Sequence, residues 1–187
     1  EAIKWIERNI KNANDTLSNL ISVAKARTQV LENLIDIDIE NSFDKTMTGF
    51  KTIIDKSNIS IKKDFTKCKT VLFSELHFNS MLQNILNNAI KYRSSERDLK
   101  IEIKSFEKDG FNCISIKDNG IGINLDEHRN HVFGLFKRAT DKKEGSGLAL
   151  YLIKKILDKT GGDIKLESKL GKGSTFTLCF KNNENND

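Results

Sequence analysis

The chain has 187 residues, 37% of them hydrophobic and 30% charged, and its formal net charge at pH 7 is +5. Hydrophobic runs recur along most of this length, which excludes a disordered chain, and no run is long enough to cross a bilayer. Lys and Arg are interleaved with Asp and Glu without a dense basic block, so we expect a solvated charged surface and no nucleic-acid partner.

The first predicted element is a long helix over residues 3–34. Its seam positions alternate steps of three and four and are broken only at Arg27; the others are Ile3, Ile6, Ile10, Ala13, Leu17, Leu20, Ala24, Leu31 and Leu34. A repeat of this length makes an apolar seam that a second helix must cover. An ordinary amphipathic surface helix is the less favoured alternative, because such helices usually end within about 20 residues. The periodicity then breaks, and we place a domain boundary near residue 38.

A second helix and several strands follow this boundary. Ser42 can cap a helix that runs to about residue 54 and has one apolar face, formed by Phe43, Met47, Phe50 and Ile54. Alternating apolar residues then predict strands. The elements predicted up to residue 118 are strands at 59–65 and 71–73, a helix at 74–92, and strands at 99–106 and 112–118. Asp109-Gly110 is typical of the turn of a hairpin between the last two strands.

One more helix and one more hairpin are predicted in the last third of the chain. The predicted elements are a helix at 147–159, strands at 163–169 and 174–180, a turn at 171–173 and a disordered tail at 182–187. Gly161-Gly162 ends the helix. Helices grouped on one side of a mixed or antiparallel sheet predict an α+β fold, built as a two-layer α/β sandwich.

The three cysteines are Cys68, Cys113 and Cys179, which lie far apart and form no CxxC pair. This pattern argues against a disulfide framework and against a zinc site. It fits a reducing compartment best, so we expect a cytoplasmic location. The chain begins at Glu1 without a Met or a secretory leader, and we interpret it as a fragment of a protein whose relation to a membrane stays open.

The segment NILNNAIKY, residues 84–92, places polar side chains on one face of the third predicted helix. Asn84 and Asn88 are four residues apart, and Lys91 and Tyr92 follow at the same end of the helix. Amide oxygens are hard ligands of the kind that a phosphate-bound Mg²⁺ takes. The alternative, which is equally favoured by this segment alone, is an exposed polar helix face.

Two glycine-containing segments suggest a nucleotide. In DNGIGI, residues 118–123, Asp118 follows a strand and can accept from an exocyclic amine, while Gly120 and Gly122 allow the backbone to approach a planar base. In GSGLAL, residues 145–150, a glycine-rich turn opens a helix and presents backbone N–H groups to an anion. Taken singly, the first segment is more often a turn, and the second is as often a flexible helix start.

The order of the motifs resolves this ambiguity. The Asn-rich helix, DNGIGI, VFGLF, GSGLAL and finally GKGSTF at 171–176 follow one another as the N, G1, F, G2 and G3 boxes do. Residues 40–180 thereby resemble the catalytic domain of sensor histidine kinases, in the GHKL ATPase superfamily. The resemblance implies a Bergerat-type ATP-binding fold over 39–181, and it implies that 1–38 is part of a dimerisation and histidine-phosphotransfer hairpin.

The same resemblance implies roles for individual residues, with ATP and Mg²⁺ as cofactors. Asn88 is implied as the Mg²⁺ ligand, Lys91 as a phosphate contact, Tyr92 as a neighbour of the nucleotide and Asp118 as the acceptor of the adenine amine. The remaining implied nucleotide-binding residues are Gly120, Gly122, Ile123, Phe133, Phe136, Arg138, Gly145, Gly147, Leu148 and Thr175. The two Phe residues would anchor a lid, the glycines at 145 and 147 would form its far hinge, and Arg138 would reach the γ-phosphate or be solvated.

Three departures from the family pattern affect the expected chemistry. Ala149 replaces a third Gly, and the lid at 137–144 has only about eight residues. Asn84 occupies the position at which the ATP-hydrolysing members that this chain resembles usually have a Glu, which serves as general base. An amide cannot take a proton near neutral pH, so we expect transfer to a histidine, which is already nucleophilic when neutral. The catalytic candidates are therefore Asn84, Asn88 and Lys91.

The acceptor histidine is not expected within this chain. His77, His128 and His131 are followed by Phe, Arg and Val, and none fits the acceptor motif, so we expect surface or packing roles. The expected partners are a phosphoacceptor helical hairpin of the same or a partner subunit, a response regulator receiver domain, and a second copy in a homodimeric parent. The alternative is a GHKL pseudokinase or interaction module that binds nucleotide but acts by binding a partner. A coiled-coil structural protein would explain only the first forty residues.

Overall fold

The computed structural model describes residues 33–128, 132–135 and 147–182. Residues 3–32 of the first predicted helix and the lid at 137–144 lie outside these residues, while Asn33 and Leu34 are described and are not helical. The strands are β1 (Ile35–Asp38), β2 (Ile59–Asp64), β3 (Thr70–Phe73), β4 (Leu99–Lys108), β5 (Phe111–Asp118), β6 (Asp163–Lys169) and β7 (Gly173–Lys181). The helices are α1 (Ile39–Thr48), α2 (Lys51–Lys56), α3 (Glu75–Lys91), α4 (Leu125–His128) and α5 (Ala149–Lys159).

Five strands form the main sheet in the order β2-β4-β5-β7-β6. Strand β2 pairs with β4 in parallel, and the other three pairings are antiparallel. Strands β1 and β3 form a separate antiparallel pair. The mixed sheet, with helices packed on it, confirms the predicted α+β sandwich.

The core lies between one face of this sheet and the helices. On β4, β5 and β7 the buried residues alternate with polar ones, so that Ile103, Ile116 and Phe176 share the core face. Helix α3 adds an apolar stripe spaced by three and four residues, which includes Phe78, Leu82 and Ile85; each is at most 1% exposed. Burying one such side chain stabilises the fold by about 1.5–3 kcal/mol.

The turn between β4 and β5 forms where the sequence predicts it. Asp109 has φ 52° and Gly110 has φ 78°, and Lys108 pairs with Phe111 across them. Two consecutive residues with positive φ match the right-handed twist of a two-residue hairpin, and Asp and Gly adopt that conformation readily. This register carries Asp118 to the far end of β5, where it pairs with Ile101.

The predicted helix at 42–54 is wrong in its start and its continuity. Helix α1 begins at Ile39, and the Asp38 side chain caps it by accepting from the Asn41 N–H at 2.8 Å. Gly49 ends α1, and the short helix α2 follows. Ser42 is buried inside α1 and does not cap it. The predicted apolar face is present, because Phe43 and Phe50 are buried and Met47 and Ile54 pack against the same core.

The chain end is more ordered than the tail prediction allowed. Strand β7 extends to Lys181, and the Asn182 N–H donates to the Gly110 carbonyl at 3.0 Å. The predicted disordered tail therefore does not begin at residue 182, and residues 183–187 lie outside the described ones.

The expectation of no disulfide is wrong for one pair of cysteines. Cys113 and Cys179 are direct register partners on β5 and β7, and their sulfurs are bonded across a separation of 66 residues. Wide spacing in sequence did not exclude this bond, because antiparallel pairing brings the two strands side by side. Cys68 is free and buried, and burial raises the pKa of its thiol.

No helix within the described ranges combines the length and the apolar character needed to span a bilayer.

Candidate nucleotide-binding site

The C-terminal half of α3 supplies the first wall of the site. Its apolar residues face the core, which leaves Asn84 and Asn88 half-buried beside it, one helical turn apart. The Asn84 amide donates through Nδ2 to the Ser80 carbonyl at 2.8 Å. No hydrogen bond within the described part of the chain involves the Asn88 side chain, so its oxygen can accept a new partner.

Lys91 and Tyr92 end the same helix. The Lys91 Nζ lies 5.0 Å from the centroid of the Tyr92 ring, which is within the range of a cation–π contact. The Tyr92 carbonyl accepts from the Ile121 N–H at 3.0 Å. This bond joins the end of α3 to the DNGIGI loop, so the two segments that the sequence singled out meet in space.

Asp118 is the buried acid of the loop. Its side chain is 8% exposed, and Oδ1 accepts from the Gly120 N–H at 2.8 Å and from the Ser174 N–H at 3.3 Å. Burial raises the pKa of Asp118, and the two backbone N–H groups oppose this shift only in part. Among the described residues nothing donates to Oδ2, which can therefore accept the amine of a base.

The two loop glycines lie where the chain passes close to its own backbone. A Cβ on Gly120 would collide with the Tyr92 carbonyl, and a Cβ on Gly122, whose φ is 69°, would collide with the Lys169 carbonyl. The close approach at both positions is therefore to the chain's own backbone. These glycines let the loop lie against α3 and β6.

Sequence reasoning missed two serines that support the loop. The Ser168 hydroxyl lies 2.9 Å from the Ser174 hydroxyl and accepts from the Ile123 N–H at 2.8 Å. Ser174 lies on the face of β7 that carries Phe176, which is also the face of Asp118. Thr175, the predicted contact, is offset by one residue and lies on the opposite face, paired with Lys117. By strand register Ser174, and not Thr175, shares the face of Asp118, and the alternation around Phe176 was the available signal. The role of Thr175 as a nucleotide contact stays a prediction.

The lid anchors are described in part. Phe133 packs against the core next to the buried Val132. Gly147 has φ 68°, and the fully buried Leu148 follows it at the start of α5. The first turn of α5 has N–H groups without partners inside the helix, which suit an anion. The candidates Phe136, Arg138 and Gly145 lie outside the described residues.

Two of the three histidines fall at least partly within the described residues. His77 is half-buried on α3, and its pKa is lowered by burial and by the charge of Lys159. His128 ends the short helix α4, and His131 lies outside the described residues. The expectation of a surface or packing role for His77 stays a prediction.

A divalent cation would need ligands from the nucleotide. Over the described ranges no three His, Cys, Asp or Glu side chains cluster in a way that could hold a metal ion. One uncommitted amide oxygen on Asn88 fits Mg²⁺, which keeps several waters and takes its remaining ligands from phosphates. The bond from the Ile121 N–H to the Tyr92 carbonyl places the end of α3 beside the loop that carries Asp118.

Comparison with known proteins supports this site. The family model of histidine kinase-, DNA gyrase B- and HSP90-like ATPases matches residues 74–184. The chain is similar to the sensor protein RprX of Bacteroides fragilis, at 30% identity over 78% of this chain and 29% of that protein. It is also similar to the sensor-like histidine kinase SenX3 of Mycobacterium tuberculosis, at 29% identity over 95% of this chain and 44% of that protein.

Among solved structures, the histidine kinase AdeS of Acinetobacter baumannii has the same fold. The TM-score is 0.76 at 20% identity, over 97% of this chain and 84% of that chain. Since this chain spans less than half the length of RprX and SenX3, their full-length activities are not transferred by similarity alone.

Proposed function

We propose that this chain, which belongs to the family of histidine kinase-, DNA gyrase B- and HSP90-like ATPases, is the ATP-binding catalytic part of a sensor histidine kinase. Family membership implies that it binds ATP. The observation that carries the proposal is the buried Asp118, which holds one oxygen on backbone N–H groups and leaves the other for the adenine amine. Its position beside the end of α3 aligns the base acceptor with the asparagine face.

The individual roles follow from the chemistry of each side chain. Asn88 supplies an oxygen to Mg²⁺, which when bound neutralises phosphate charge and orients the β- and γ-phosphates. Lys91 pairs with a phosphate, and Tyr92 packs beside the nucleotide. The start of α5 at Gly147 and Leu148 presents N–H groups to the phosphates. In the segment outside the described residues, Phe136 and Gly145 would flank the lid and Arg138 would approach the γ-phosphate.

The identity of the phosphate acceptor follows from the absence of a general base at Asn84. Asn84 cannot take a proton near neutral pH, and its Nδ2 already donates to Ser80. Activation of water or of a hydroxyl therefore has no base at this position, whereas a neutral histidine attacks phosphorus without prior deprotonation. We propose that the phosphate is transferred to a histidine on a helical hairpin and then to the receiver domain of a response regulator. The parent would be a homodimer whose catalytic part is cytoplasmic.

The pseudokinase alternative is less favoured. Its support is the short lid and Ala149, whereas the similar proteins are named as sensor proteins and histidine kinases.

Transfer in trans tests the proposal. The 187-residue chain is mixed with radiolabelled ATP, Mg²⁺ and a separate hairpin domain that carries an acceptor histidine, and acid-labile phosphate on the hairpin is counted. We expect labelling of the hairpin and none of the chain itself. Asn88→Ala should lower the rate by roughly 100-fold or more, because a metal ligand is lost.

Asn87→Ala is the matched control, since Asn87 is the exposed neighbour on the same helix and should leave the rate unchanged. ATP binding without any transfer to hairpins would instead support the pseudokinase alternative. Stable label on the chain itself would contradict the absence of an acceptor histidine.

A further inference from the structure

Arg97 lies in the connection between α3 and β4 and binds three backbone carbonyls. Its Nε donates to the Asn119 carbonyl at 2.8 Å, and its Nη2 donates to the Gly120 carbonyl at 2.8 Å and to the Gly171 carbonyl at 2.7 Å. The first two carbonyls belong to the DNGIGI loop, and the third belongs to the turn between β6 and β7. One exposed side chain thus joins two segments that are about fifty residues apart in sequence.

One of these carbonyls is directly coupled to Asp118. The Asn119 oxygen and the Gly120 N–H belong to the same peptide unit, which is planar and rigid. Arg97 holds the oxygen of this unit, and the N–H donates to Asp118 Oδ1 at 2.8 Å. Rotation of the peptide would therefore break both bonds together. The guanidinium fixes the donor that orients the carboxylate.

Gly171 connects the turn between β6 and β7 both to the loop and to Arg97. The Gly171 N–H donates to the Ile121 carbonyl at 2.7 Å, while the Gly171 carbonyl accepts from Arg97. The loop and the turn are thus joined directly by one backbone bond and indirectly through the Arg97 guanidinium, which also binds the Gly120 carbonyl. A planar guanidinium with several N–H groups in fixed directions can serve three acceptors, whereas an ammonium is a compact donor without this geometry.

We propose that Arg97 is a positioning residue for base recognition, acting on Asp118 through the Asn119–Gly120 peptide. Its Nε and Nη2 are bonded to backbone carbonyls of the protein. Its contribution is to keep Asp118 Oδ2 directed at the exocyclic amine, which is the group that distinguishes adenine from a 6-oxo purine. This role rests on the proposed nucleotide site, and its test separates the two.

The test compares ATP with inosine triphosphate, which has an oxygen where adenine has the amine. Both nucleotides are titrated with Mg²⁺ by calorimetry into the 187-residue chain and into the Arg97→Gln variant. We expect Arg97→Gln to weaken ATP binding by about tenfold, because a charge-assisted contact that orients a hydrogen bond is lost. Binding of inosine triphosphate should change little, so that the preference for ATP falls.

Arg93→Gln is the matched control. Arg93 lies four residues earlier and donates to the Ile90 carbonyl at the end of α3, and among the described residues it makes no hydrogen bond to the loop. Its variant should keep the wild-type preference for ATP. In an Asp118→Asn background, Arg97→Gln should cause no further loss of ATP affinity, because the two residues act through one contact.

The outcomes separate the role of Arg97 from the site itself. Absence of ATP binding by the wild-type chain would reject the nucleotide site. Wild-type binding with an unchanged preference for ATP in Arg97→Gln would reject the role of Arg97 alone. An equal loss of affinity for both nucleotides would also reject the role of Arg97, since that result indicates a general disturbance of the site and not of base recognition.

If Arg97→Gln has a lower melting temperature than the wild-type chain, the Arg97→Lys variant is used to test the role of the guanidinium. Lysine keeps the charge but not the planar fork, so a variant that folds normally should still lose part of the preference for ATP. Full wild-type discrimination in Arg97→Lys would contradict positioning by the guanidinium.

Discussion

At the level of single side chains, Asp118 and Ser174 meet where β5 ends and β7 begins, and the Ser174 N–H donates to Asp118 Oδ1. Asp118 could be predicted because an acid that directly follows an alternating strand lies at a sheet end. Ser174 was missed in favour of Thr175, because two adjacent hydroxyl residues differ only in the face they occupy. That face is set by the pairing of β7 with β5, and Phe176 fixes it by being in the core.

Asp118 also has a predictable effect on stability. Burial raises its folded-state pKa above the ordinary value of 3.8, so its protonated form is the one that favours folding. This contribution is fully present below pH 3.8 and is lost as the pH rises through the folded-state pKa. Asp118→Asn keeps an oxygen for the N–H groups of Gly120 and Ser174 without a buried charge. We therefore expect the nucleotide-free variant to be more stable than wild type at neutral pH.

Urea unfolding of both chains from acid to neutral pH measures this difference. The two stabilities should differ less at acid pH and should separate as the pH rises, with the wild-type chain losing more. A variant that is less stable than wild type at neutral pH would show that the ionised carboxylate is favoured in the folded chain.

At the level of helices and strands, local patterns predicted those elements whose partners are near in sequence. The β4–β5 and β6–β7 hairpins were predicted because their turn residues accept positive φ, and α3 because its apolar spacing spans seventeen residues. The break between α1 and α2 was not predicted, because helical spacing continues across it at Phe43, Met47, Phe50 and Ile54. The bond between Cys113 and Cys179 was missed because it depends on the pairing of distant strands.

The disulfide predicts a redox-dependent stability. It closes a loop of about 66 residues, and loop closure of this size stabilises a fold by about 2 to 4 kcal/mol. Reduction should lower the free energy of unfolding of the wild-type chain by that amount. The double variant Cys113→Ser, Cys179→Ser should be insensitive to reductant, which serves as the control.

Thiol titration in denaturant identifies the bond itself. We expect one reactive thiol, that of Cys68, before reduction and three after it. Three reactive thiols without reductant would show that the pair is not bonded in the isolated chain. Disulfides are typical of oxidising compartments, so the outcome also tests the proposed cytoplasmic location.

For the whole molecule, the order of five motifs predicted the family, while the site depends on contacts between segments that are far apart. The site is built from Tyr92 at the end of α3, Asp118 of β5, Ser168 of β6 and Ser174 of β7. Hydrogen bonds of backbone and side-chain groups join these segments into one wall. A linear motif shows which residue types are present but not which atoms they bind. For this reason Arg97, outside every motif, could not be found from the sequence. The division at residue 38 and the hairpin partner remain proposals.

Titration of ATP with Mg²⁺ into the 187-residue chain and its Asp118→Asn variant tests the nucleotide site most directly. Asp109→Asn is the matched control, because Asp109 lies in the turn at the opposite end of β5, where Asn is equally suited to a positive φ. We expect the wild type and the control to bind alike, and Asp118→Asn to bind about 10- to 100-fold more weakly through loss of a charged hydrogen bond. Equal affinity of Asp118→Asn and wild type would contradict the site.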